Sequence, residues 1–341
     1  MIHNKKSTLL HVAELAGVSL KTASRVVRKE PNVREETRQR VEHAMREVSY
    51  RPSIAPRASV GARSFLIGLV FDNPNSSYVV DLLRGATEQT RAEGYNLVVE
   101  PIRTDDSNIA ENIKRLVIQS NLDGIVLPPP ICDLDGVLSV LDDFGTPYVG
   151  IGPNDNVPLN RPSMDDEAAA AAMTDHLIQL GHTDIAFVKG RAGTLTTRQR
   201  LKGYERALRN SGLCKRSDLI VDGDYTFKSG LHAGEQLLRL NSAPTAVFAS
   251  NDEMAAGVMT AAMKRNLIVP DDISVAGFDD SPTATMIWPQ LTTVRQPIDE
   301  MSKIAIAMLV SQLRDREVAS RETKVEYQLI VRDSTSSLKQ N

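Results

Sequence analysis

Near the start of the chain, apolar residues recur at helical spacing. Val12, Ala13 and Ala16 form one stripe, and Ala23, Val26 and Val27 form a second. Between them Gly17 can take the positive φ that ends a helix, and Ser19 can accept from the backbone N–H groups of the next turn. Two short helices joined by a tight turn are predicted. Ala23, Val26 and Val27 face back toward the first, which leaves Leu20, Lys21, Thr22, Ser24 and Arg25 outward. A third helix is expected over 34–49, with Val41, Ala44, Met45 and Val48 on one face and Tyr50 ending it. From Leu66 the pattern changes to short apolar runs, at 66–71, 97–100, 124–127, 148–151, 185–188, 246–249 and 274–278. Amphipathic segments such as 79–92, 108–119, 168–180 and 254–265 lie between them. This alternation predicts parallel sheets covered on both faces, and its length predicts two successive α/β subdomains. The fold class expected is an all-α helix-turn-helix head followed by an α/β body of Rossmann-like parallel sheets.

Charge sharpens this division. The chain has 341 residues and a net charge of −3. Through Arg63 it carries 13 Lys and Arg against 6 Asp and Glu, or +7, and the remainder carries 27 against 37, or −10. A basic head on an acidic body suits a protein whose first segment alone meets phosphate. The second of two such helices enters the major groove and reads base edges. Lys21 and Arg25 can donate to guanine, and Leu20 can pack on a thymine methyl. Thr8, Ser19, Thr22, Ser24 and Tyr50 suit phosphate contacts. Cys132 and Cys214 have no metal-ligand spacing, and a reducing compartment fits them. No apolar run reaches membrane-spanning length and no signal-peptide core is present, so a cytoplasmic location is expected.

The head resembles the LacI/GalR (lac repressor) family of bacterial regulators. The match is carried by Val12-Ala-Glu-Leu-Ala-Gly-Val-Ser19, Thr22-Ala-Ser-Arg-Val-Val27, Val33, Thr37-Arg38, Val41 and Tyr50-Arg-Pro52. It continues through the body in Gly181-His182, Arg200-x-x-Gly203-Tyr204, Asn251-Asp252, the segment from Pro270 to Asp280, Pro289-x-Leu-Thr-Thr-Val294 and Val331-Arg332. The resemblance implies base reading by Leu20, Lys21 and Arg25. It implies a DNA-kinking hinge over 51–63, but this sequence departs there. Pro56 stands inside the expected hinge helix, and Ser59, beside Val60, occupies the position of the wedging Leu, while Arg57 remains available to the groove. It also implies a two-lobed body like a periplasmic binding protein, with three crossings between lobes. The divisions expected are a DNA-binding domain over 1–50, the hinge over 51–63 and an effector and dimerisation domain over 64–341. The N-lobe would be about 64–162 plus 295–325, and the C-lobe 163–294 plus 326–341.

Polar residues that follow strands point into the crevice of an open α/β sheet. Asn73, Asn251 and Asp279 do so here. By the resemblance Asp279 is an effector carboxylate, Asn251 a polar cleft residue, Arg200 a cleft arginine, and Tyr225 and Tyr78 aromatic walls. Thr194 and Thr196 lie on the loop leading to Arg200. Without the resemblance, Asp279 could cap a turn and Arg200 could form a surface ion pair. Trp288 suits core packing or cleft lining equally. Gly152 stands where many relatives have Asp, which puts one ligand contact in doubt. Dinucleotide, P-loop and G-x-S-x-G signatures are absent, so no catalytic residue, metal or cofactor is expected. The sequence therefore points to a homodimer on palindromic operator DNA, with a tetramer left open. It would be a repressor released by a small-molecule effector, with a sugar favoured. A regulator activated by a purine or other corepressor is the alternative, and a solute-binding protein explains only the body.

Overall fold

The computed structural model describes residues 9–27, 33–47, 63–153, 161–314 and 322–339. Thr8, Val48, Tyr50, Pro56, Arg57, Ser59 and Val60 lie outside them, as does most of the expected hinge. The chain divides into two compact units, Met1–Ser64 and Phe65–Asn341.

The first unit contains α1 (Leu9–Leu15), α2 (Leu20–Val27) and α3 (Glu35–Glu47). Its core is Val12, Ala13, Ala16, Ala23, Val26, Val41 and Ala44, all buried, with Val18, Val33 and Met45 packed against it. Val27 is only half-buried, because the apolar stripe of so short a helix is too narrow to hide both valines. Gly17 takes φ +62°, and the Val18 amide returns to the Ala13 carbonyl at 3.0 Å, which closes α1. The Ser19 hydroxyl accepts from the Thr22 amide at 3.1 Å, which opens α2.

The second unit runs β1 (Leu66–Phe71), α4 (Ser76–Ala92), β2 (Asn96–Pro101), α5 (Ile109–Ser120), β3 (Gly124–Leu127), α6 (Asp135–Asp143), β4 (Tyr148–Gly150) and β5 (Arg161–Ser163). It continues through α7 (Asp166–Gln179), β6 (Ile185–Val188), α8 (Leu195–Asn210), β7 (Ile220–Val221), α9 (Phe227–Leu237), β8 (Ala246–Ala249), α10 (Asp252–Met263), β9 (Ser274–Ala276) and α11 (Pro282–Met286). The last elements are β10 (Thr293–Arg295), α12 (Ile298–Arg314), β11 (Glu322–Lys324) and β12 (Gln328–Ile330). Two four-stranded parallel sheets result, ordered β2-β1-β3-β4 and β7-β6-β8-β9. The central strands β3, β6 and β8 are buried along their length and β1 at all but its two ends, as their unbroken apolar runs require. In both sheets the order reverses beside the first strand of the set, so the crevice at the carboxyl ends is open to a ligand.

Two short pairings lie where the chain passes between the lobes that these sheets form. β5 pairs parallel with β11, and β10 pairs antiparallel with β12. The chain passes from the first lobe to the second between β5 and α7, returns between β10 and α12, and leaves again between β11 and β12. Helix α12 belongs to the first lobe and packs tightly on α4. A Cβ at Gly85 would lie 2.1 Å from the Asp299 carbonyl oxygen, and the Ser302 hydroxyl donates to the Leu82 carbonyl at 2.8 Å. In the second lobe His182 is buried between Thr245, Ser274 and the Ser336 carbonyl, tying down the segment that follows β12.

Candidate functional site

In the first unit, Leu20, Lys21 and Arg25 are exposed on α2, Leu20 at 48%, while Thr22 and Ser24 are half-buried. Ser19 and Thr22 bond to one another at 2.9 Å through their hydroxyls. Two of the hydroxyls expected at phosphates thus also frame the start of the helix. Leu20, Lys21 and Arg25 face away from the core of this unit, as the apolar stripe of α2 requires.

In the second unit a cavity opens at the carboxyl ends of both sheets. It is lined by Tyr78, Thr196, Arg200, Tyr225, Asn251 and Asp279, and by Asn73. Thr194 is not among them. It caps α8 instead, accepting from the Thr197 amide and donating to the Arg191 carbonyl at 3.0 Å. Trp288 is 83% exposed, so it serves neither the core nor the cavity. Gly152 does line the cavity, with φ +101° and a virtual Cβ 2.9 Å from the Pro129 ring. A side chain there is disfavoured by conformation and space together.

Asp279 occupies the junction of the lobes. Its Oδ2 accepts from Asn75 Nδ2 at 2.6 Å, and its Oδ1 accepts from Gln296 Nε2 at 2.5 Å. Asn75 cannot present its oxygen there, because that oxygen caps α4 by accepting from the Ser77 and Tyr78 amides. The donor from the first lobe is therefore committed to the carboxylate of the second. Gln296 comes from the crossing that follows β10. Burial pushes the Asp279 carboxyl up to about 7, against the opposing pull of Arg200, Gln296 and Asn75. Asp279 is not a turn cap. It sits at φ +130°, and its amide donates to the Val294 carbonyl at 2.8 Å.

Arg200 is buried at 4% exposure and is no surface pair. Its Nε donates to Asp166 Oδ1 at 2.8 Å and its Nη1 to the Ser250 carbonyl at 2.6 Å. Its guanidinium lies 3.7 Å from the Phe278 ring centre. Burial raises the Asp166 carboxyl above its ordinary range, though Arg200 pulls it down. The planar fork is thus already half occupied by the protein. Asn251 is also committed, since it caps α10 through the Met254 amide and donates to the Tyr225 carbonyl at 3.0 Å. That bond holds Tyr225 at φ +72°, with its hydroxyl 2.8 Å from Thr197 Oγ1. The ring lies flat over Gly190, where a Cβ would approach to 2.0 Å.

Sequence reasoning passed over Asn75, Asp166 and Gln296, all of which line the cavity. Asn75 carried a signal, being a capping residue just after a strand. Asp166 stood in the acidic start of a helix. Gln296 carried none, because only the return crossing brings it beside Asp279. Among the described residues no cluster of side chains could hold a metal ion, and no helix is long and apolar enough to cross a membrane.

Residues 8–53 match the family of bacterial regulatory proteins of the lacI type, and residues 174–335 match a periplasmic binding protein-like domain. The chain is 33% identical to catabolite control protein A of Priestia megaterium over 334 residues, covering 96% of this chain and 99% of that protein. It is also 33% identical to the ribose operon repressor of Escherichia coli K12, covering 90% and 93%. Among solved structures, the lac repressor dimer bound to operator and an anti-inducer superposes with a TM-score of 0.81 at 27% identity, covering 97% and 100%. The cellobiose complex of the regulator CelR superposes at 0.73 with 28% identity, covering 96% and 99%. With this agreement across nearly the whole chain, the protein belongs to the LacI family of transcriptional regulators.

Proposed function

We propose that this regulator is a cytoplasmic, non-catalytic homodimeric repressor. Its α2 reads a two-fold operator through Leu20, Lys21 and Arg25, and its interlobe cavity takes a carbohydrate effector that releases it. The observation that carries this reading is Asp279, held by an amide from the first lobe and another from the crossing. A ligand that bonds to this carboxylate changes the balance between lobes, and a state favoured by ligand but not by DNA weakens both reciprocally. Carboxylate, amides and Arg200 supply donors and acceptors for hydroxyls, and Tyr78 and Tyr225 supply faces for a sugar ring. Similar proteins include a ribose operon repressor and a regulator solved with cellobiose. In the dimer reading, two heads meet two half-sites spaced by about one helical turn.

The test is operator binding by fluorescence anisotropy, on sites selected from genomic fragments, with and without sugars. Selective, salt-dependent binding that a sugar weakens supports the reading. Absence of preference for any site over random duplex, with every sugar tried, would sink it. Tightening by a nucleobase instead of release by a sugar would replace the inducer with a corepressor.

A further inference from the structure

Asp166 and Arg200 form an ion pair that is rigidly built and left partly open. Asp166 is the first residue of α7, and Arg200 lies in α8. The two helices touch at Gly203, where a Cβ would lie 2.1 Å from the Glu167 carbonyl oxygen. Backbone stands against backbone there, so the helices hold one another in place. Arg200 is fixed further by the Ser250 carbonyl and the Phe278 ring. Both side chains line the cavity, although they are only 3% and 4% exposed. The pair is thus set before any ligand arrives.

Only one oxygen of Asp166 is used. Oδ1 accepts from Arg200 Nε at 2.8 Å, and Oδ2 has no partner among the described residues. Arg200 spends Nε and Nη1 on the protein, which leaves Nη2 open in the same sense. Neighbouring polar groups are not available to close the pair. Asn251 is held by the Met254 amide and the Tyr225 carbonyl, and the Tyr225 hydroxyl by Thr197. A buried carboxylate oxygen is costly to leave without a donor. Ionised, Oδ2 can only accept, and Nη2 can only donate. A hydroxyl, or two on neighbouring carbons, answers both. An ether or carbonyl oxygen answers Nη2 alone, and a methylene answers neither.

Resting on the carbohydrate reading above, we infer that Asp166 is a second effector carboxylate. With Arg200 Nη2 it takes a sugar hydroxyl other than the one met by Asp279, and it makes the cavity reject the sugar that lacks this hydroxyl. The two carboxylates are held independently, Asp279 by Asn75 and Gln296 and Asp166 by Arg200. A site built to hydrogen-bond a hydroxyl discriminates strongly against the analogue without it, because its own polar groups are then left unpaired.

The test is isothermal titration of the full chain at pH 8. D-ribose, D-glucose, D-galactose and cellobiose are titrated first, and then the monodeoxy analogues of the tightest binder. Two hydroxyls are expected to cost about thirtyfold or more each when removed, as hydrogen bonds to charged groups do. Asp166→Asn keeps an oxygen for Arg200 Nε but loses the charged acceptor. In it one of the two costs is expected to shrink to about threefold while the other persists. In Asp279→Asn the roles are reversed. If Asp166→Asn instead weakens every analogue by one common factor, Asp166 only holds Arg200; the assignment is overturned and the carbohydrate reading stands. Binding of no sugar in the panel overturns both. Should Asp166→Asn not fold, the unaltered protein and Asp279→Asn decide. Two costly hydroxyls, of which Asp279→Asn flattens only one, support the assignment, and any smaller number overturns it.

Discussion

Asp279 ionises at a cost because burial removes water from its carboxylate, while Arg200 repays only part of that and Asp252 and Glu253 add like charge. Unfolded, the group has an ordinary carboxyl pKa near 4; folded, it is pushed up to about 7. Between those values the native state holds a proton that the unfolded chain has released. Its contribution to stability therefore falls as pH rises from 4 to 7 and is level above. Unfolding free energies of the wild type minus those of Asp279→Asn should decline by a few kcal/mol over that interval, and a flat difference would contradict the burial described. Gly190 tests a neighbouring wall. Its missing Cβ leaves room for the Tyr225 ring, so Gly190→Ala should push the ring off Thr197. Stability should drop by about 1–3 kcal/mol, as for an overpacked core, and sugar affinity should fall with it in titration. Of the cavity residues, Asp279, Arg200 and Tyr225 were legible from motifs. Their bonding was not, since the partners Asn75, Asp166 and Gln296 come from distant segments.

Helix contacts set how well these residues are held. The α4–α12 contact places backbone against backbone at Gly85, where no side chain can yield. Gly85→Val should therefore part the helices and lower the urea midpoint, by an energy of about 3 kcal/mol or more. Gly136 in α6 has nothing within 4 Å of its virtual Cβ and no positive φ, so Gly136→Ala should be neutral or stabilising by up to about 1 kcal/mol. Equal effects at the two glycines would refute the packing. The buried strands and the helix-turn-helix were readable, because long apolar runs and 3.6-residue stripes are local signals. β5, β10, β11 and β12 were not. Each is only three residues long and exists because a distant segment pairs with it.

Across the body, the two lobes also meet where Arg191 of the second lobe bonds to Asp72 of the first. Burial opposes the Asp72 charge, but the Thr104 hydroxyl and amide and Arg191 hold its carboxyl below the ordinary range. The pair is partly exposed, at 33% and 20%. Its worth is that of a surface ion pair, about 1 kcal/mol or less. Arg191→Ala should weaken sugar affinity by less than about tenfold, and the loss should fade in high salt. A larger loss that salt does not touch would mean that Arg191 meets the ligand itself. Local order in the sequence was enough to determine the three-helix head, its outward Leu20, Lys21 and Arg25, and the α/β alternation of the body, since those depend on neighbours a few residues apart. Only the tertiary structure decided that Arg200 is engaged by Asp166, that Thr194 is a cap, that Trp288 is exposed, and that Asp279 is gripped from two directions. Such pairings join residues up to 204 positions apart, and no periodicity records which distant side chains the crossings will bring together.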